Sequence, residues 1–138
     1  IGLVGVAGES SKTKIGGIRG ATTTNNDAVA VLIDSAGQLG AVSSSERYKE
    51  NIWPMAAVSD RIMQLDPVTF TWKSDKQSIQ QIGLIAEEVE KVMPELVAYD
   101  SNDVPESVKY HELPTLLLAE IKKLRYELDM VKESLNGK

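Results

Sequence analysis

Six apolar residues near the C-terminus, Leu117, Ile121, Leu124, Leu128, Val131 and Leu135, are spaced four, three, four, three and four apart. This is an unbroken a/d heptad seam, a stripe that a single helix has no means of burying by itself. Glu120, Lys122, Lys123, Arg125, Glu127, Asp129, Lys132 and Glu133 fill the other faces. The pattern predicts a long helix over about 111–135 that seeks a helical partner, with Gly137 as its stop. Its first half, through about Leu124, is expected to pack on its own domain, and the remainder to extend into a homo-oligomeric coiled coil. Ile121 and Leu128 at a, with Leu124 and Val131 at d, do not separate two strands from three.

The opposite end of the chain has the reverse character. Eight of the ten glycines (Gly2, Gly5, Gly8, Gly16, Gly17, Gly20, Gly37 and Gly40) precede Ser43, and no aromatic residue accompanies them. Glycine at this density weakens helices, and the segment has no large side chains around which to close a core. Its best-defined elements are a β-branched strand "AVAVLI" from Ala28 to Ile33, the turn "DSAG", and a second short strand "QLGAV". Residues 1–43 therefore read as the end of a fibrous β-stalk that buries its faces between chains. The chain opens on Ile1 without a targeting pattern and reads as a piece of something longer.

Between these ends lies an α+β pattern. "WPMAAVSDRIMQL" places Met55, Val58, Ile62 and Leu65 at helical spacing behind Pro54. "PVTFTW" alternates, putting Val68, Phe70 and Trp72 on one strand face. "IGLI" reads as a strand, Ala86 to Met93 as an amphipathic helix ended by Pro94, "ELVAY" as a strand, and Val108 to Tyr110 as another. Gly83 is expected to permit a close backbone approach or an unusual dihedral. Trp53 and Trp72 are expected to anchor a core or an interface. Residues 44–138 thus form one small domain that ends in the heptad helix.

Composition narrows the chemistry. A net charge of −5 disfavours binding to a phosphate backbone, so no nucleic-acid partner is expected. No apolar run approaches the roughly 20 residues that span a bilayer, so no membrane partner is expected either. There is no cysteine, and His111 is the only histidine, which removes thiolate chemistry and multi-histidine metal sites; no cofactor and no metal are expected. Glu87, Glu88 and Glu90 read as a solvated helix face, and His111 as a local hydrogen-bonding residue.

A serine nucleophile in such a chain needs a base other than histidine. The stretch "AVSSSERYKENI" offers Ser44 and Lys49, the residue types of a serine–lysine dyad. A lysine amine accepts a proton near neutrality only if burial or positive charge lowers its pKa; Arg47 would help, and Glu46 and Glu50 would oppose. Five residues apart lie about 140° apart around an α-helix and about 17 Å apart along a strand. Neither arrangement gives the contact of about 3 Å that proton transfer requires. Either the chain turns sharply between them, or Lys49 reaches Ser44 of a neighbouring chain, the arrangement favoured here.

Four blocks in order, "SSERYKENI", "IMQLDPVTFTWK", "IGLIAEEVEKVMPELVAYD" and "VKYHELPTLLLAEIKKL", closely resemble the C-terminal intramolecular chaperone domain of phage tail spikes and tail fibres, the endosialidase type. A related domain occurs in myelin regulatory factor. The resemblance covers Ser44 to about Leu135, and "GGIRGATTTNNDAVAVLIDSAGQLG" resembles the stalk that often precedes it. It implies a homotrimer whose chaperone domain assists folding of the upstream fibre or spike and then cuts itself off. Carried over, the nucleophile is Ser44, the base Lys49, the scissile bond joins Ser43 to Ser44, and Arg47 matches the intervening arginine. Many relatives place an acidic residue directly after the serine; here Ser45 intervenes and Glu46 follows. The mature stalk would belong to the virion, and the released domain to the host cytoplasm. The alternative is a trimerisation cap of the same fold that does not cut.

Overall fold

In the computed structural model, Thr13 and residues 15–137 are described. Gly2, Gly5, Gly8 and the rest of the expected stalk before Thr13 lie outside them. The chain divides into two compact units that meet between Tyr48 and Lys49. Its class is α+β, with short antiparallel strand pairs and one long C-terminal helix.

Among its described residues the first unit contains one ladder, β1 (Leu32–Ile33) against β2 (Leu39–Gly40). The expected strands over 28–33 and 38–42 are therefore shortened to two residues each. With Val29, Val31, Ile33, Leu39 and Val42 all exposed, no packed face rewards further pairing.

The second unit opens with a 3-10 helix, Ala56–Gln64, where the spacing predicts an α-helix. Three residues per turn eclipse positions i and i+3, so Ser59, Ile62 and Leu65 share one face. Ser59 is consequently buried, and Val58, expected inward, is turned out. A hairpin follows, β3 (Val68–Phe70) paired with β4 (Gln81–Gly83), in which Thr69 faces Ile82. The β3 strand ends before Trp72, which lies edge-on to Phe70 with ring centroids 5.1 Å apart. Then come α1 (Ala86–Val92), a 3-10 turn at Pro94–Leu96, β5 (Val97–Tyr99), β6 (Pro105–Val108) and α2 (Leu113–Asn136). The strand expected at Val108 to Tyr110 instead ends at Val108.

The core is small: Val89, Met93, Leu96, Val97, Val108 and Leu116. The short helix α1 contributes Val89 and is followed by Met93 at the i+4 position, so one face of a single turn carries two of its members. Pro94 then ends the helix, having no N–H to continue it, and Leu96 turns back into the same cluster. Arg61 ties the first helix to this region, donating to the Val92 carbonyl at 3.2 Å and pairing with Glu95. At the far side, the Tyr110 hydroxyl accepts the Leu84 N–H at 2.8 Å. A Cβ on Gly83 would meet that hydroxyl at 2.8 Å and Phe70 at 3.2 Å, which is the close approach expected of Gly83.

The three hairpins among the described residues turn in the same way. Asp34, Asp75 and Asp100 each accept N–H groups two and four residues ahead: Ala36 and Gln38, Gln77 and Ile79, Asn102 and Val104. The residue three places on is left-handed each time, Gly37 at φ 80°, Ser78 at 51° and Asp103 at 58°. Aspartate suits the first position because its carboxylate satisfies turn N–H groups that no strand can reach. Those two bonds hold the Asp100 carboxyl below its usual range, the Val104 bond contributing most.

Candidate functional site

The stretch around Ser44 is a turn. Ser43 Oγ accepts the Ser45 N–H at 3.3 Å, and the Ser45 carbonyl accepts the Tyr48 N–H at 3.1 Å. The second bond closes a single 3-10 turn, Glu46–Tyr48, so the backbone following Ser44 is neither strand nor α-helix. Ser43, Ser44, Glu46 and Arg47 are exposed and Ser45 is half-buried. The Arg47 guanidinium stands 5.1 Å from the centre of the Tyr48 ring, which draws it along the chain by cation–π attraction. Ser44 belongs to the first unit, and Lys49, also exposed, opens the second. Just beyond, Asn51 is left-handed at φ 52°.

Inside the second unit a different serine–lysine pair is in contact. Lys123, in α2, donates to Ser59 Oγ at 2.8 Å and to Glu120 at 2.8 Å, and it also pairs with Asp60. Asp60, then Glu120, raises the Lys123 pKa, and Lys123, then Ser59, lowers that of Glu120. An ammonium stabilised by two carboxylates holds its proton, so this lysine does not serve as a base. Its role is to fasten α2 to the Ala56–Gln64 helix. The sequence reading missed this cluster because it needs the 3-10 turn, which brings Ser59 to the inner face in place of Val58.

That fastening decides which side of α2 meets its own domain. Leu113, Leu116, Glu120 and Lys123 turn inward, three and four residues apart. The heptad seam is displaced from this stripe by about 80°, at 100° per residue. Leu117, Ile121 and Leu124 are accordingly 48%, 60% and 60% exposed, and Leu128, Val131 and Leu135 are exposed too. The expectation that the seam's first half packs on its own domain is overturned: Leu117, Ile121 and Leu124 are all exposed, Leu117 reaching only the edge of an open groove. The helix otherwise ends as expected, Gly137 donating its N–H to the Glu133 carbonyl at 3.0 Å.

Trp53 is 81% exposed and Trp72 61%, so neither is a core anchor. Glu87 and Glu88 are exposed. Glu90 is half-buried and accepts from Tyr99, whose pKa is raised by desolvation and then by that bond. His111 lies 3.8 Å from the Glu112 carboxylate. Among the described residues no three metal-ligating side chains gather, and no helix is long and apolar enough to cross a membrane.

Residues 44–98 match a peptidase-family model whose description is "Chaperone of endosialidase". No curated protein matches the chain.

Proposed function

Residues 44–98 match the chaperone-of-endosialidase family model, and from that match we propose that the chain is the self-cleaving, trimerising chaperone end of a fibre or spike protein. The observation that carries the reading is the coincidence of the family match, which begins at Ser44, with the residue chosen as nucleophile. A turn rather than a strand or helix after Ser44 supports it, because regular structure would hold residues five apart away from each other.

In the proposed reaction Lys49, as the free amine, takes the Ser44 hydroxyl proton while Oγ attacks the Ser43 carbonyl carbon. The tetrahedral intermediate collapses to an ester between the Ser43 acyl group and Ser44 Oγ, and the C–N bond breaks as the Ser44 nitrogen takes up a proton. Water then hydrolyses the ester, leaving a carboxylate on Ser43 and a free amine on Ser44. Arg47 and Glu46 flank the dyad; Arg47 favours the neutral amine, and Glu46 opposes it. Acceptance of the proton by Lys49 of a neighbouring copy would make cutting report on completed assembly.

Association runs through the exposed seam Leu117, Ile121, Leu124, Leu128, Val131 and Leu135, in a homotrimer that also aligns the three copies of residues 1–43 as a β-stalk. The family setting supports a phage tail context, with the stalk retained in the virion and the chaperone domain released in the host cytoplasm. No cofactor or metal takes part in the proposed chemistry.

The test is the mass of the purified chain. Two fragments meeting at Ser43/Ser44, lost in Ser44→Ala and in Lys49→Ala, establish cleavage by this pair. One intact chain in all three leaves a trimerisation cap that does not cut. Mixing Ser44→Ala with Lys49→Ala chains before assembly then decides between the two routes, since only a neighbour's lysine restores cutting.

A further inference from the structure

Beside the exposed seam the second unit carries an apolar groove of about 500 Å³, lined by Ile62, Leu65, Ile82, Leu84, Leu113 and Leu117 among others. Leu117 belongs to both the groove and the seam. Whatever covers the N-terminal end of the seam therefore covers the mouth of the groove as well.

The flanking positions say what that is. With Ile121 at a, the g positions are Leu113, Glu120 and Glu127, and the e positions are Leu118, Arg125 and Lys132. In parallel, in-register helices each g residue lies beside the e residue of the neighbour's next heptad. The rungs are then Leu113 with Leu118, Glu120 with Arg125, and Glu127 with Lys132: one apolar pair and two opposite-charge pairs. In an antiparallel arrangement g meets g and e meets e, which sets glutamate beside glutamate and arginine beside lysine. Charge complementarity thus selects a second copy of this chain, parallel and in register.

Leu118 is 57% exposed at an e position, where charged side chains are usual. Its rung partner Leu113 is part of the groove wall. One rung further on, Glu120 is held at the edge of the seam by Lys123, which in turn binds Asp60 and Ser59. Leu113 is only half-buried against its own core, so its open side is the part of the groove wall left for a neighbour's Leu118, while Glu120 stays tied to Lys123.

We propose that this groove is the receptor for Leu118 of a second copy, docked parallel and in register along the seam. The inference rests on the oligomeric reading above and adds the body of the domain to the interface. Sedimentation of the full chain tests it with three exposed positions. Leu118→Asp weakens self-association by roughly tenfold or more, with the helical circular dichroism unchanged. Ile121→Asp, within the seam itself, abolishes association, and Met130→Asp, which is 51% exposed at a c position, leaves it unaltered.

Because the chain has no cysteine, a cross-link reads the geometry directly. Leu113→Cys chains mixed with Leu118→Cys chains and oxidised form a mixed disulfide that neither variant forms alone. If Leu118→Asp associates as the parent does while Ile121→Asp dissociates, or if the mixed disulfide fails to form in an intact oligomer, the receptor is overturned and the seam stands. If the parent chain is monomeric at every concentration, the oligomeric reading falls, and the receptor with it.

Discussion

The described residues before Lys49 bury no side chain, whereas those after it close a core around Met93 and Leu96. Both regions contain β-branched residues and hairpins keyed by the same aspartate turn, so neither strand propensity nor turn chemistry separates them. The difference is large apolar volume on a second layer. The later region sets α1 against β5 and β6 and α2 against the Ala56–Gln64 helix, and the earlier one has no such layer, leaving Val29, Val31, Ile33, Leu39 and Tyr48 exposed. A hairpin without a layer to pack on stays two residues long.

Truncating the core is the sharpest way to break this contrast. Leu96→Ala, at 1% exposure, is expected to cost about 2–5 kcal/mol in denaturant unfolding of the second unit. Val31→Ala, at 64% exposure, is expected to lie within about 0.5 kcal/mol in the unassociated chain. A comparable cost at Val31 only under conditions where the chain associates would place that side chain between copies.

Gly83→Ala is expected to destabilise by about 1–3 kcal/mol, because the new methyl displaces the Tyr110 hydroxyl from the Leu84 N–H. Thermal unfolding measures it, and Tyr110→Phe, which removes the hydroxyl, should relieve part of the Gly83→Ala penalty.

A smaller effect follows from the lowered carboxyls of Glu120 and Asp100. A depressed folded-state pKa contributes stability above the unfolded value, near 4, and loses it as pH falls through the folded value. Unfolding midpoints of the second unit should therefore decline below about pH 4, and less steeply in Glu120→Gln than in the parent. The smallest expected change is a gain: Ser78→Gly, at φ 51°, should stabilise by about 0.5 kcal/mol in the same assay.

Much of this was legible in the residues. The heptad spacing announced α2, Pro94 the end of α1, Gly83 a close approach, and the ordered blocks from Ser44 to the β5 strand the family model that matches residues 44–98. The Ala56–Gln64 helix was not, since an apolar spacing of three and four reads as α-helical even where the chain adopts three residues per turn. The serine–lysine contact at Ser59 and Lys123 was hidden for the same reason, being 64 residues apart and dependent on that turn.

What the sequence alone determined is periodic and local: where α2 runs, which of its residues form a seam, where turns fall, and that the early segment has too little apolar volume for a core. What the tertiary structure decided is which stripe of α2 is spent on its own domain. The a/d seam and the Leu113, Leu116, Glu120 and Lys123 stripe are about 80° apart on one helix, and each is apolar enough, or charged in the right places, to be buried. Only the position of Ser59 and Asp60 on the neighbouring 3-10 helix settles the choice. By binding Lys123 they turn that stripe inward, which leaves the heptad seam facing outward.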